Sequence, residues 1–317
     1  MTSAVVFAYS EVGVRCLRVL LSQGMRIELV VTHEDDPKEQ QWFDCVARVA
    51  RENGLVVATP DDPNADTVVE RVGELHPDFL FSFYYRHMLC ERLLATASRG
   101  ALNMHGSLLP KYRGRAPVNW AIVNGETETG ATLHYMQAKP DAGPIVGQEA
   151  VPILINDTAL DVSLKVADAA ERLLERCLPD LIAGRAPGVP MDLSRGSYFG
   201  RRRPQDGEIL WDRPALEIHN LIRAVAPPFP GAFGECGGHI LRVLGSRYLD
   251  RPARHFWQAP CLYTEDNELQ LDCLDGKQLT LTRAELDDVP FSAVSFAARF
   301  GAAPIPLSLT SNTRRVS

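Results

Sequence analysis

The sequence lacks the features that define several large classes of protein. It has no apolar run of 18 residues, and no basic stretch with an apolar segment and a cleavage site at its start. We therefore expect no membrane span, no export and a cytoplasmic location. Its seven cysteines are scattered, without a Cys-x-x-Cys pair. This spacing argues against a disulfide framework or a zinc site, so we expect reduced cysteines and no bound metal.

Positive charge is also scarce. The chain has 33 Lys+Arg against 40 Asp+Glu, a net charge of −7 at pH 7. Because a general nucleic-acid binder carries a basic face, we expect no nucleic-acid partner. A length of 317 residues with 45% hydrophobic and 23% charged residues is typical of a soluble globular protein with two domains. Nothing in the sequence indicates the oligomeric state.

Apolar segments of strand length alternate with segments of helical periodicity along the first hundred residues. Strands are predicted at 4–8, 27–31, 55–58 and 79–83, and helices at 12–23, 42–51, 67–75 and 88–97. This alternation is typical of βαβ crossovers, so we expect an α/β fold with a Rossmann-like, mostly parallel sheet. The turn from Tyr9 to Gly13 has one glycine where a dinucleotide fingerprint needs three. NAD is therefore not expected.

The second part of the chain has a different pattern. Thr158 and Asp161 predict the start of a long helix, and residues 186–206 are rich in proline, glycine and arginine. Short alternating strands follow, best seen at 269–273 and 279–282 around an Asp-Gly turn. We predict a catalytic domain at 1–185, a linker at 186–206 and a small OB-like β-barrel domain at 207–317.

The residues from Asn103 to Arg115 are the strongest functional signal. Asn103 and His105 lie two apart on a predicted strand, so their side chains point to the same side. The following loop is broken by glycine and proline and is rich in cations. An amide that donates hydrogen bonds and an imidazole that titrates near neutrality are the groups that acyl transfer needs.

The pattern Asn-x-His-x-Ser-Leu-Leu-Pro-x-x-Arg-Gly, followed by Asp-x-Gly at Asp141, resembles the folate-dependent formyltransferases. The resemblance implies that Asn103, His105 and Asp141 are catalytic and that 10-formyltetrahydrofolate donates the formyl group. Asn103 would stabilise the oxyanion and His105 would relay the proton. A carboxylate beside an imidazole favours its protonated form, so we expect Asp141 to raise the pKa of His105.

The resemblance also implies the residues that bind the folate, whereas the residues that bind the second substrate are predicted from charge. The expected folate-binding residues are His87, Met88, Leu89, Arg115, Gln137, Ala138, Lys139, Pro140 and Asp141. The cations Lys111, Arg113, Arg201 and Arg202 are candidates for binding the diphosphate of a sugar nucleotide, because arginine binds such oxygens in bidentate fashion.

The amine that is formylated is predicted from several shorter segments. Residues 81–87, 108–117, 125–130, 199–202 and 223–226 resemble the formyltransferase half of the bifunctional enzyme that makes UDP-4-deoxy-4-formamido-L-arabinose for lipid A modification and polymyxin resistance. This implies a UDP-amino sugar, UDP-4-amino-4-deoxy-L-arabinose, as the acceptor. The chain stops near residue 317, so we expect any decarboxylation to be done by a separate protein.

Two alternatives remain open. A methionyl-tRNA formyltransferase would share the fold and the three catalytic residues. However, residues 204–317 contain 11 Lys+Arg against 14 Asp+Glu, whereas a barrel that holds RNA phosphates needs clustered cations. A non-catalytic folate-binding protein is the second alternative, and the presence of all three catalytic side chains argues against it.

Overall fold

The computed structural model describes residues 1–34, 42–255 and 258–308. The chain forms two compact units. The first comprises Met1–Pro117, Glu128–Pro152 and Val162–Arg201, and the second comprises Val118–Thr127, Ile153–Asp161 and Arg202–Ser317.

The first unit contains a seven-stranded sheet and a separate two-stranded ribbon. The strands of the sheet are β1 (Ser3–Ala8), β2 (Arg26–Val31), β3 (Val57–Ala58), β4 (Phe79–Phe83), β5 (Ala101–His105), β7 (Glu128–Tyr135) and β8 (Ile145–Pro152). The ribbon pairs β6 (Arg113–Gly114) with β9 (Tyr198–Phe199) in parallel. The ribbon therefore ties residues of the predicted linker to the loop after β5.

The strand order of the large sheet is β3-β2-β1-β4-β5-β7-β8. The first five strands in this order, β3, β2, β1, β4 and β5, are parallel to one another. Strand β7 is antiparallel to β5, and β8 is antiparallel to β7. Strands β1 and β4, which are apolar except for Ser3 and Ser82, are buried along their whole length, as expected for a sheet that is covered on both faces. The carboxyl ends of the parallel strands, including that of β5, lie at one edge.

Helices connect these strands. They are α1 (Ser10–Ser22), α2 (Val46–Glu52), α3 (Asp66–Glu74), α4 (Glu91–Leu94), α5 (Pro117–Val123) and α6 (Ala159–Ile182). The predicted N-terminus of α6 is confirmed, because Thr158 and Asp161 exchange side-chain and backbone hydrogen bonds there.

Two helices are shorter than predicted. Part of the segment predicted as α2, namely 42–45, is not helical, and α4 covers only four of the ten predicted residues. The helix does not begin at Met88 as predicted, because Asn64 binds residues 88–90 in a non-helical conformation. Its side chain donates to the carbonyl of Met88 at 2.9 Å and accepts the N–H of Cys90 at 2.7 Å. These backbone groups are satisfied without a helical turn.

The second unit is built on an antiparallel sheet. Its strands are β10 (Ala232–Cys236), β11 (His239–Pro252), β12 (Cys261–Glu265), β13 (Glu268–Asp272), β14 (Lys277–Leu286), β15 (Val289–Phe291) and β16 (Ile305–Pro306), in the order β10-β11-β14-β13-β12-β16 with β15 beside β14. Helices α7 (Ala215–Ala224) and α8 (Ala293–Phe300) contribute Ile218, Ile222 and Phe296 to its core, which surrounds the buried Trp211.

The fold class that the sequence predicts is confirmed. A Rossmann-like, mostly parallel sheet is followed by a curled antiparallel sheet of the half-barrel type. The predicted turn at Asp275 and Gly276 does join two antiparallel strands, β13 and β14. Of two 3-10 turns, Leu193–Arg195 lies in the segment predicted as a linker, and Pro204–Gly207 begins in it and ends one residue beyond it.

Candidate active site

Asn103 and His105 lie at the carboxyl end of β5. Strand β4 pairs with one side of β5, and β7 pairs with the other so that Asn103 is opposite His134 and His105 is opposite Thr132. Both predicted residues therefore point to one face of the sheet, next to the side chain of His134. The loop that carries Asp141 follows β7 and returns to the same place.

The imidazole of His105 is held by a backbone carbonyl. Its Nε2 lies 2.8 Å from the carbonyl oxygen of Tyr112, and a carbonyl only accepts, so Nε2 carries a proton. In the neutral ring Nδ1 is then unprotonated, and it lies 3.5 Å from Oδ1 of Asp141. A proton taken up by His105 is therefore placed at Nδ1, beside the carboxylate.

Asp141 lies in a left-handed backbone conformation, with φ of 49°. Its Oδ2 accepts the N–H of Gly114 at 2.9 Å, and Oδ1 faces both His105 and His134. Burial opposes ionisation of this carboxyl, but the neighbouring imidazoles of His105 and His134 and the N–H of Gly114 together hold its pKa below the usual range. Asp141 is therefore a carboxylate in this site.

The net pKa of His105 is lowered, although Asp141 raises it as expected from the sequence. His105 is 6% exposed, and this burial disfavours the imidazolium. Asp141 and the carbonyl of Tyr112 raise the pKa, as expected for Asp141, but the effect of burial is larger. His105 is thus a neutral imidazole with a free lone pair near pH 7, which is the form that accepts a proton.

His134 is a functional candidate that the sequence analysis missed. Its Nδ1 donates to the carbonyl of Tyr135 at 2.8 Å, so its Nε2 is an acceptor in the neutral ring, and it receives an N–H from Asn103 Nδ2 at 3.2 Å. The amide of Asn103 also reaches Asp141 Oδ1 at 3.5 Å, the longest of these contacts. The pairing of β5 with β7, which brings His134 to Asn103, has no signal in a local motif.

The loop after His105 is attached to the antiparallel part of the sheet. The hydroxyl of Ser107 donates to the carbonyl of Lys111, and Thr132 Oγ1 donates to the carbonyl of Ser107 at 2.6 Å. Gln148 donates to both Thr132 and the carbonyl of Leu109. These bonds hold the segment that presents the Tyr112 carbonyl to His105.

The expected folate-binding residues lie on two segments of the first unit. Met88 is 51% exposed and His87 is exposed, whereas Leu89 belongs to a core cluster with Tyr85 and Leu93. Gln137, Ala138 and Lys139 are exposed, Pro140 and Asp141 are half-buried, and the exposed Arg115 donates its backbone N–H to Phe199. Of this set, Asp141 is the residue placed in contact with Asn103 and His105.

The four candidate cations have different environments. Lys111 is exposed, while Arg113 is half-buried and its Nε is enclosed without a hydrogen-bond partner among the residues that the structure describes. Arg201 is exposed. The guanidinium of Arg202 lies 4.6 Å over the ring of Trp120 and donates to the carbonyl of Asp206 at 2.7 Å. Burial lowers the pKa of Arg202.

Within residues 1–34, 42–255 and 258–308, no group of three or more His, Cys, Asp or Glu side chains is arranged to hold a metal ion. In those same ranges, no helix combines the length and the apolar character needed to cross a membrane.

Two family models match this chain. The formyl transferase model covers residues 5–178, which is more than half of the sequence, and the model of the C-terminal domain of formyl transferase covers residues 202–301. The chain belongs to the formyl transferase family. The first match includes Asn103, His105, His134 and Asp141.

Solved structures of other formyltransferases share the fold. An N-formyltransferase from Helicobacter canadensis, in complex with folinic acid and dTDP-3-aminofucose, is 22% identical, with a TM-score of 0.72 over 89% of this chain and 99% of the other. The sugar 3N-formyltransferase WlaRD, with dTDP and 5-N-formyl-THF, is 21% identical, with a TM-score of 0.70 over 90% and 98%. A 4-N-formyltransferase from Francisella tularensis is 20% identical, with a TM-score of 0.59 over 74% and 92%.

Proposed function

We propose that this formyltransferase moves a formyl group from 10-formyltetrahydrofolate to the amine of a nucleotide-linked amino sugar. The observation that carries the proposal is the convergence of Asn103, His105 and Asp141 on one point at the end of β5, with both side-chain contacts to Asp141 at 3.5 Å. It is supported by the family membership of the chain and by sugar N-formyltransferases of the same fold. The sequence resemblance supports UDP-4-amino-4-deoxy-L-arabinose as the acceptor, formylated at its 4-amine.

The reaction needs one bond to form and one to break. The sugar amine attacks the formyl carbon and gives a tetrahedral intermediate with an oxyanion, after which the bond from that carbon to N10 of the folate breaks. The amine loses a proton and N10 gains one. Tetrahydrofolate and the formamido sugar leave, and no oxidant or reductant is consumed.

His105 is suited to carry this proton. Its lowered pKa leaves the ring neutral near pH 7, and its Nε2–H is already engaged by Tyr112, so Nδ1 is the site that accepts. The carboxylate of Asp141 then stabilises the imidazolium that forms, because opposite charges attract strongly where water is excluded. The same proton can be returned to N10, so His105 acts as base and then as acid.

Asn103 is suited to stabilise the oxyanion. One N–H of its amide is fixed on His134 at 3.2 Å, while the contact of the amide with Asp141 is long, at 3.5 Å. The second N–H is thus weakly engaged and able to donate to a stronger acceptor. An oxyanion at this position is such an acceptor.

The folate and the sugar nucleotide are assigned to different side chains. We place the folate against His87, Met88, Leu89, Arg115 and residues 137–141, of which several are exposed. The diphosphate is assigned to Lys111, Arg113, Arg201 and Arg202. Among these, Arg113 is favoured by position, since it lies between Tyr112, which holds His105, and Gly114, which holds Asp141.

A turnover assay with purified protein and 10-formyltetrahydrofolate tests the proposal. The acceptors are UDP-4-amino-4-deoxy-L-arabinose, dTDP-linked 3-amino and 4-amino sugars, and initiator methionyl-tRNA. We expect formylation of an amino-sugar nucleotide, with the highest kcat/KM for the UDP-linked 4-amino sugar. Binding contacts to a few sugar substituents decide between such acceptors.

The other outcomes of the assay are distinct. Preference for a dTDP-linked sugar would keep sugar formylation and reject the UDP-arabinose assignment. Formylation of the tRNA alone would reject sugar formylation. Folate binding without turnover of any amine would mean a non-catalytic protein.

A further inference from the structure

The segment Gly196–Phe199, within the stretch predicted as a linker, is bound along the loop that holds His105 and Asp141. We call this segment the strap. Its hydrogen bonds to the loop run continuously from Pro110 to Arg115: Ser197 N–H to Pro110 O, Tyr112 N–H to Ser197 Oγ, Arg113 N–H to Ser197 O, and Arg115 N–H to Phe199 O. The ring of Tyr112 also stacks on Phe199, with centroids 5.2 Å apart.

The close approach of the strap depends on glycine on both sides. A Cβ atom at Gly114 would overlap the carbonyl oxygen of Phe199, and φ of Gly114 is +98°, a conformation open mainly to glycine. A Cβ atom at Gly196 would likewise overlap the carbonyl oxygen of Pro110. The sequence therefore permits a backbone contact here that larger side chains would prevent.

Ser197 is the residue of the strap that makes the most of these contacts. Its N–H, its carbonyl and its hydroxyl oxygen bind Pro110, Arg113 and Tyr112 at 3.2, 3.0 and 2.8 Å. Between these contacts Tyr112 has a left-handed backbone with φ of 56°, which is sparsely populated for a residue with a side chain. The carbonyl of Tyr112 is thereby aimed at Nε2 of His105, at 2.8 Å.

We propose that Ser197 is a positioning residue for the formyl transfer. Its hydroxyl oxygen holds the backbone of Tyr112, and Tyr112 fixes the tautomer of His105 in which Nδ1 faces Asp141. Without this acceptor the N–H of Tyr112 is released, and the Tyr112 carbonyl is oriented by the bond from Arg113 N–H to the Ser197 carbonyl, at 3.0 Å, and by the Ser107 hydroxyl, at 3.4 Å. The carbonyl then holds Nε2–H less firmly, so that a smaller fraction of the imidazole has its lone pair at Nδ1. The inference rests on the proposed function for its kinetic test, and on the geometry alone for its spectroscopic test.

Variants of Ser197 distinguish this role from a purely structural one. Ser197→Ala removes the acceptor, and Ser197→Thr keeps a hydroxyl at the same place. Ser194→Ala is the matched control, since the exposed Ser194 hydroxyl donates only to Asp192 of its own turn among the contacts that the structure describes. For Ser197→Ala we expect kcat to fall about 5- to 30-fold, the factor that one or two kcal/mol produces. Both KM values should stay within about twofold, since the hydroxyl acts through Tyr112 and His105.

The threonine variant should recover kcat to within about threefold of the wild type, and Ser194→Ala should match the wild type. In addition, the 15N chemical shifts of His105 in the substrate-free protein should show mainly the Nε2–H tautomer in the wild type and a mixture in Ser197→Ala. If the alanine variant does not fold, Ser197→Cys, with its weak acceptor, should give the same change in the His105 shifts.

Unchanged kcat and unchanged His105 shifts in Ser197→Ala would overturn the proposal, as would an equal loss of kcat in Ser194→Ala. If the wild type itself turns over no amine, the proposed function fails. The histidine shifts still test the role of Ser197 in that case.

Discussion

Asp141 accepts the backbone N–H of Gly114 through Oδ2 at 2.9 Å, and its Oδ1 lies 3.5 Å from Nδ1 of His105. One oxygen of the carboxylate is thus fixed to the backbone, and the other faces the imidazole. Gly114 pairs with Phe199 in the β6–β9 ribbon, so the position of the carboxylate depends on residues that are 27 and 58 positions away in the sequence. The position of the Asp141 carboxylate relative to His105 is therefore fixed by a backbone group, the N–H of Gly114.

This arrangement predicts the effect of Asp141→Asn on the pH dependence of catalysis. Because the neutral form of His105 accepts the proton in the proposed reaction, kcat should fall as the pH drops through the pKa of His105, which burial holds below its ordinary value of 6.5. Asp141 raises this pKa, so Asp141→Asn should shift the acidic limb to still lower pH and reduce the plateau. The measurement is kcat from pH 4.5 to 8.5 at saturating substrates.

Asp192→Asn is the matched control, because Asp192 is exposed and binds Ser194 of its own turn. It should leave the profile unchanged. A lower plateau with an unmoved acidic limb in Asp141→Asn would mean that Asp141 orients the site without tuning His105.

The two residues of β5 should affect the rate much more than the stability. Asn103→Ala removes the proposed oxyanion donor and should lower kcat by about 100- to 1000-fold. His105→Ala removes the proton carrier and should lower kcat by about 100- to 10,000-fold. Circular dichroism and thermal denaturation should show a folded protein in both cases. Turnover near the wild-type rate in either variant would remove that residue from the mechanism.

The parts of the fold that the sequence predicts well are those set by local pattern. The apolar segments at β1 and β4 and the Thr158–Asp161 pair each contain their own signal within a few residues. The length of α4 is not local, because Asn64, more than twenty residues earlier, binds the segment before it. Such a competition between a side chain and a helical turn has no trace in the periodicity.

The site shows the same division. The spacing of Asn103 and His105 is enough to place both on one face of a strand. His134 reaches Asn103 through the β5–β7 pairing, and Ser197 reaches the loop after His105 next to the β6–β9 pairing. Both pairings depend on tertiary structure. The sign of the pKa shift of His105 also depends on burial, and a sequence gives no measure of how completely a loop covers a ring.

The proposed diphosphate-binding arginines can be separated by their effects on the two substrates. Arg113→Met, and Arg201→Ala with Arg202→Ala, should each raise KM for the sugar nucleotide several-fold, since each arginine fork contributes a charge-assisted interaction. KM for 10-formyltetrahydrofolate should stay nearly fixed. Arg203→Ala, in the exposed neighbour, is the control and should change neither value.

The contacts of Arg202 supply the competing interpretation. Its stacking on Trp120 and its bond to Asp206 are internal to the second unit, so its loss can weaken that unit without touching a substrate. An Arg202→Lys variant keeps the charge but loses the planar stacking. Equal changes in both KM values, or a change confined to thermal stability, would assign Arg201 and Arg202 to structure alone.

A histidine far from β5 in the sequence should control the acid stability of the second unit. His219 is fully buried on α7, where Nε2 donates to the carbonyl of Ile155 at 2.9 Å and Nδ1 accepts from Ser246 at 2.8 Å. Burial lowers its pKa to about 4 and the charge of Arg223 acts in the same direction, although the bond to Ile155 opposes them. The folded state therefore holds His219 neutral where the unfolded state, with the ordinary value of 6.5, becomes protonated.

The sign of the effect follows from this difference. The stabilisation by neutral His219 is fully present above about pH 6.5 and is lost as the pH falls toward 4, because the unfolded state then binds more protons. For one site with these two pKa values, the loss of stability between pH 7.5 and pH 5.0 is about 2 kcal/mol.

The variant His219→Gln tests this prediction, because glutamine has no group that titrates in this range. Urea denaturation at both pH values should therefore show a pH dependence about 2 kcal/mol smaller in the variant than in the wild type. His33, half-buried and with its pKa also lowered to about 4, contributes in the same direction in both proteins and cancels in the comparison. An identical pH dependence in the two proteins would show that His219 does not control the acid stability.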